Sequence, residues 1–72
     1  MYSVEFHVYE HEMTKAMFFS TMYCSEIILK KLDYGWNVLC KAEYKQAIEH
    51  LIESLKSANV IYYDEELNIS KE

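Results

Sequence analysis

The stretch Glu10–Gly35, EHEMTKAMFFSTMYCSEIILKKLDYG, takes up more than a third of the chain, and the way it divides decides the fold. Acids at Glu10 and Glu12 precede its apolar part, and Lys30 and Lys31 close it, the arrangement a helix dipole favours. Thr14 is the best N-cap for such a helix. Phe18, Met22, Leu29 and Leu32 then form one seam at helical spacing, and Glu26 to Lys30 is a favourably oriented i,i+4 pair. The helix ends near Asp33, where Gly35, the only glycine, takes the left-handed position that other residues enter at a cost. A second reading makes Lys15–Cys24, KAMFFSTMYC, a strand paired antiparallel with the N-terminal one, and starts a shorter helix at Ser25. Its phenylalanines and Thr21 suit a strand.

On the N-terminal side, Tyr2–Glu10 alternates, with Tyr2, Val4, Phe6 and Val8 on one face and Ser3, Glu5, His7 and Tyr9 on the other, a half-buried strand. On the C-terminal side, Trp36 starts a short strand that places Trp36, Val38 and Cys40 together and Asn37 and Leu39 opposite. Residues 40–59 are the clearest helix, because Tyr44, Ile48, Leu51, Leu55 and Ala58 recur at steps of four and three, and Asn59 suits a left-handed cap. VIYY, residues 60–63, reads as a strand; Leu67 and Ile69 either continue it or form a hairpin back. The order strand, helix, strand, helix, strand predicts an α+β or small α/β fold: one compact domain over residues 1–72, a two-layer sandwich with both helices on one face of a small sheet.

Seventy-two residues allow one core with a net stability of roughly 3–5 kcal/mol. Twelve acids against seven lysines, with no arginine, give a formal charge of −5. Arginine supplies bidentate recognition of phosphate and guanine, so neither direct nucleic-acid binding nor an anionic membrane is expected. A protein partner with a basic surface is. The longest unbroken apolar runs, AMFF and VIYY, are far below the ~18 residues a membrane span needs. The N-terminus lacks the basic start and apolar run of a secretory leader, and Cys24 and Cys40 follow no disulfide-scaffold or zinc spacing. These features place the protein in a reducing cytoplasm, the host's if it is viral.

Little in the chain points to catalysis. Cys40-Lys41-Ala42-Glu43 has capping-box spacing with a thiol in place of the hydroxyl, and a cysteine at a helix N-terminus has a lowered pKa. No histidine lies near it in sequence as a base, so Cys40 reads as a small buried hydrophobe and Cys24 as core filling. His7 and His11, interleaved with Glu10 and Glu12, have an unspecific spacing, and no metal site is assigned to them. His50 reads as solvated helix surface. A single glycine excludes a phosphate-binding loop. The expectation is a protein that is not an enzyme, with no catalytic residue and no cofactor.

Surplus apolar surface is the remaining signal. Met17, Cys24 and Ile28 add a second seam to the first helix, and Phe19, Tyr23 and Ile27 widen it until the helix is apolar almost all round. Phe19, Tyr23 and Ile27 are therefore expected to bind a partner or a second copy, as a homodimer. Glu49 and Glu53 share a helix face, and with Asp64, Glu65 and Glu66 they form the expected acidic half of the contact. The function expected is that of a protein-binding inhibitor or accessory regulator. Its sharper variant is a phage-type anti-defence protein in which these acids and Glu43 imitate nucleic-acid charge. The alternatives are a structural subunit of an assembly and a thiol-dependent enzyme or sensor centred on Cys40.

Overall fold

The computed structural model describes residues 1–72 and shows two helices and a four-stranded antiparallel sheet, a small α+β architecture. The strands are β1 (Tyr2–Tyr9), β2 (Glu26–Lys31), β3 (Gly35–Ala42) and β4 (Ser70–Lys71); the helices are α1 (Met13–Tyr23) and α2 (Lys45–Ser57). A 3-10 turn, Glu10–Glu12, leads into α1. Chain order is thus β-α-β-β-α-β where β-α-β-α-β was expected, and the strands lie side by side as β2-β3-β1-β4. β3 runs antiparallel to both β1 and β2 and lies between them, which makes β1-α1-β2 a split β-α-β unit, the ferredoxin-like connectivity.

The difference arises inside Glu10–Gly35, whose first half is helix and whose second half is strand. α1 stops at Tyr23; Cys24 caps it in extended conformation, with its N–H on the Ser20 carbonyl at 2.9 Å. The β-branched Ile27 and Ile28 then suit a pleated strand better than a continued helix. Lys30 and Lys31 consequently lie in β2, Glu26 and Lys30 share a strand face instead of a helix face, and Thr14 lies inside α1, which has no side-chain cap. The second reading fails in the opposite sense: Lys15–Tyr23 is helix, and Ser25 precedes a strand.

Gly35 has no positive φ. It opens β3 opposite Tyr9, where a Cβ would fall on the carbonyl oxygen of Val8 and within 2.9 Å of Tyr9 Cα. Glycine is needed there because two backbones approach closely, not because a helix ends. The β2–β3 hairpin turns at Asp33 and Tyr34, closed by the Leu32 N–H on the Gly35 carbonyl at 2.8 Å.

The alternations of β1 and β3 hold: Val4, Phe6, Val8, Val38, Cys40 and Ala42 are buried on one sheet face, against Ile48, Leu51 and Leu55 of α2. Asn59 takes φ 60°, as expected of a left-handed cap. The Val60 N–H bonds to Leu55 O at 2.9 Å and the Asn59 N–H to Lys56 O at 3.1 Å, a Schellman motif with buried Val60 against buried Leu55. Tyr44 caps the N-terminus of α2 and is exposed instead of joining its seam. VIYY forms no strand; Val60 and Ile61 are buried, while Tyr62 and Tyr63 face solvent. The chain then returns along β1, and Ser70 and Lys71 pair with Ser3 and Tyr2.

α1 packs through small residues. Ala16 and Ser20 are fully buried, whereas Phe18 and Met22, expected in the seam, are 59% and 53% exposed. Both helices lie over β1 and β3, and β2 extends past them with only Ile27 partly covered.

Candidate functional site

Three chain reversals meet at one end of the sheet. β1 ends at Tyr9 and enters the 3-10 turn, the hairpin presents Tyr34, and the Schellman reversal at Asn59 sends Val60–Tyr63 past the end of β1. Between them lies a cleft of about 590 Å³, lined by His7, Tyr9, His11, Glu12, Tyr34, Tyr62, Tyr63 and Glu65 over a floor of Val8, Val60 and Ile61. Tyr9 stacks on His11 with centroids 5.9 Å apart and planes 10° from parallel, and it meets Tyr34 edge-on at 6.0 Å.

One atom in this wall is short of a partner. Oε2 of Glu12 is buried and accepts no hydrogen bond; Lys15 Nζ stands 3.7 Å from it, and His11 Nε2 is 3.5 Å from Oε1. A buried carboxylate oxygen without a hydrogen bond is costly, so a turn of the Glu12 side chain toward a cation or N–H in the cleft it lines is favoured. Aromatic faces around it add a second attraction for the same kind of group.

The cleft is held from outside by Glu10. Its Oε2 accepts from Lys31 Nζ at 2.7 Å and from Trp36 Nε1 at 2.9 Å, and the Lys31 ammonium lies 5.1 Å from the Trp36 ring centroid. This ties the 3-10 turn to the hairpin that carries Tyr34. The hydrogen bond from Lys31 holds the Glu10 carboxyl below the usual carboxylate range, with the Trp36 bond acting in the same direction against some desolvation. A pKa lower in the folded state than in the unfolded one stabilises the fold fully above the unfolded value, and that contribution is lost as pH falls through the folded value. Fluorescence of Trp36, the only tryptophan, is therefore expected to titrate in acid with a midpoint below that of an ordinary carboxylate. Glu10→Gln should remove this step and leave the spectrum at neutral pH unchanged. A midpoint at or above the ordinary value refutes the clamp.

Cys40 is fully buried in β3, and α2 starts only at Lys45, so no capping box runs from Cys40 to Glu43 and no helix N-terminus acts on the thiol. Its neighbour is Cys24. The two thiols lie close enough to shift each other's ionisation, and Cys40 Sγ donates to Ser20 Oγ at 3.3 Å. Interaction with the Cys40 thiol pushes the Cys24 thiol up, and burial pushes it further. The same interaction pulls the Cys40 thiol down against burial, with help from Ser20. The pair links the end of α1 to the centre of the sheet.

The residues expected to bind a partner fall into separate places. Phe19 and Tyr23 are half-buried against α2, in a shallow groove of about 470 Å³ with His50 and Glu53, and Ser54 Oγ reaches Tyr23 OH at 3.5 Å. Ile27 lies on β2 and not on α1. Glu49 and Glu53 are exposed on α2, as expected of a shared outer face. Glu53 and Tyr63 border one depression, which sets the Asp64 run beside the C-terminal half of α2. Within that run Glu65 lines the aromatic cleft, whereas Glu66 lies beside Ser3 and Glu5.

The sequence assigns Tyr9, Tyr34 and Glu12 no partner-binding role. Their signal was positional: tyrosines at three reversals, beside a helix-leading acid. His7 and His11 do share the cleft, but no group of three or more His, Cys, Asp or Glu side chains assembles to hold a metal ion. No helix is long and apolar enough to cross a membrane. No protein-family model matches the chain, and comparisons with curated proteins and with solved structures found no match.

Proposed function

We propose that this protein is a small acidic protein-binding module, an inhibitor or accessory regulator that occludes a basic surface of its partner, and that the aromatic cleft receives a cationic side chain from that surface. The observation that carries this reading is the cleft wall of Tyr9, Tyr34, Tyr62 and His11 with the Glu12 carboxylate, whose Oε2 accepts no hydrogen bond and has only the Lys15 ammonium, 3.7 Å away, as an ion-pair partner. A guanidinium or ammonium entering there gains a charge-assisted hydrogen bond and aromatic faces at once. The net charge of −5 steers such a partner, and the acids of α2 and of the Asp64 run widen the attractive field. Imitation of nucleic-acid charge is the sharper form of the same reading, with Glu43, Glu49, Glu53, Asp64, Glu65 and Glu66 as its acids.

The test is a titration followed by NMR, with N-acetyl-arginine amide as probe and its neutral isostere N-acetyl-citrulline amide as control. Arginine is expected to shift the ring resonances of Tyr9, Tyr34 and His11, citrulline to leave them in place, and Glu12→Gln to weaken arginine binding roughly tenfold, the worth of one hydrogen bond to a charged group. Equal shifts from both probes, or shifts centred on Glu49 and Glu53 instead, overturn the assignment of the cleft.

A further inference from the structure

β2 is an edge strand whose outer side is unpaired. Its inner register pairs Ile27 with Cys40, Leu29 with Val38 and Lys31 with Trp36 on the helix side of the sheet, and Glu26 with Lys41, Ile28 with Leu39 and Lys30 with Asn37 on the open side. The closing Leu32–Gly35 bond fixes which backbone groups point where. Hydrogen-bonded pairs alternate along an antiparallel ladder, so Glu26, Ile28 and Lys30 bond to β3, while Ile27, Leu29 and Lys31 turn their N–H and C=O groups outward. Six residues with a free edge and an apolar centre, Ile28 46% and Leu29 40% exposed, are an exposed template for strand addition.

We infer that the partner on this edge is a second copy of the chain, with β2 pairing antiparallel to its own image about a two-fold axis through Ile28. Two requirements, backbone pairing and charge, meet in that one register. Placing Ile28 opposite Ile28 of the partner subunit sets Ile27 opposite the partner's Leu29, and both of these have outward backbone groups, so the ladder bonds form. Directly opposite residues then keep to the same sheet face, which puts the helices of both copies on one side of a continuous eight-stranded sheet. Glu26 comes to lie opposite the partner's Lys30, and, by symmetry, Lys30 opposite the partner's Glu26. Within one chain neither Glu26 nor Lys30 makes an ion pair, and four residues along an extended strand they are too far apart to reach each other. The edge is complementary in charge to itself, as an isologous interface requires. This inference rests on strand register and is independent of the cleft.

Sedimentation of the full chain at about 100 µM is expected to give a species of twice 8.6 kDa. Glu26→Lys and Lys30→Glu, each alone, should weaken the dimer roughly tenfold by setting like charges opposite at two symmetric places, and the two together should restore it. Ile28→Cys should cross-link to its own image under mild oxidation, because it lies on the axis, whereas Leu29→Cys, displaced from the axis, should not. A single 8.6 kDa species at that concentration overturns the inference. So does a dimer that is indifferent to both charge reversals and is instead cross-linked by Met22→Cys, which would place the contact on the exposed face of α1.

Discussion

Gly35→Ala is expected to destabilise the protein by about 3 kcal/mol, the upper part of the range for forced overpacking. The added methyl meets backbone, the Val8 carbonyl and Tyr9 Cα, and backbone within a paired ladder cannot swing aside as a side chain can. In a domain whose net stability is roughly 3–5 kcal/mol, such a loss lowers the thermal midpoint by on the order of 10–20 °C. Melting followed by circular dichroism measures it. Gly35→Asn should be at least as damaging. If Gly35 were a left-handed helix cap, asparagine would be well tolerated there, so a Gly35→Asn variant that melts within a few degrees of the parent would contradict the close-approach account.

The second large effect is expected in α1, where the two readings of the helix predict opposite outcomes. Ala16 is fully buried beneath the helix, so Ala16→Leu forces three extra carbons into a filled interface and should cost about 2–3 kcal/mol. Phe18 points outward, and Phe18→Ser should change stability by no more than about 0.5 kcal/mol. Urea denaturation of the two variants decides between the packed faces. A severe loss from Phe18→Ser with little from Ala16→Leu would return the seam to the large residues.

These two sites also mark where the sequence was legible and where it was not. The buried face of α2 is legible from Lys45 onward because its apolar residues lie on one side of a polar helix, so that Ile48, Leu51 and Leu55 announce it, whereas residues 40–44, expected to open the helix, belong to β3 and the turn before α2. β1 and β3 were read from alternation, and Asn59 from its tolerance of the left-handed region. α1 has almost no such sidedness. Its buried stripe is Ala16 and Ser20, chosen for small size so that the helix can sit close to the sheet, while larger side chains remain outside. Hydropathy cannot rank those faces, since size and not polarity distinguishes them. The same failure carried the helix through Cys24 into β2, where an edge strand without a covering helix shows no alternation of burial and imitates an apolar helix segment. The cleft was invisible for another reason. Tyr9, Tyr34 and Tyr62 come from distant parts of the chain, and only the Gly35 approach and the Asn59 reversal bring them together.

The strand order has a consequence for the nascent chain. β1 is made first, yet its long-range neighbour is β3, and β4 comes only at residues 70–71. Between Tyr9 and the end of β3 lie about thirty residues, which at a synthesis rate of roughly 5–20 residues per second leaves β1 unpaired for on the order of 2–7 s. Throughout that interval Val4, Phe6 and Val8, one continuous apolar edge of the emerging polypeptide, have no strand beside them. The alternating Glu5 and His7 then act as gatekeepers, interrupting a run that would otherwise be free to associate with neighbouring chains on the same message.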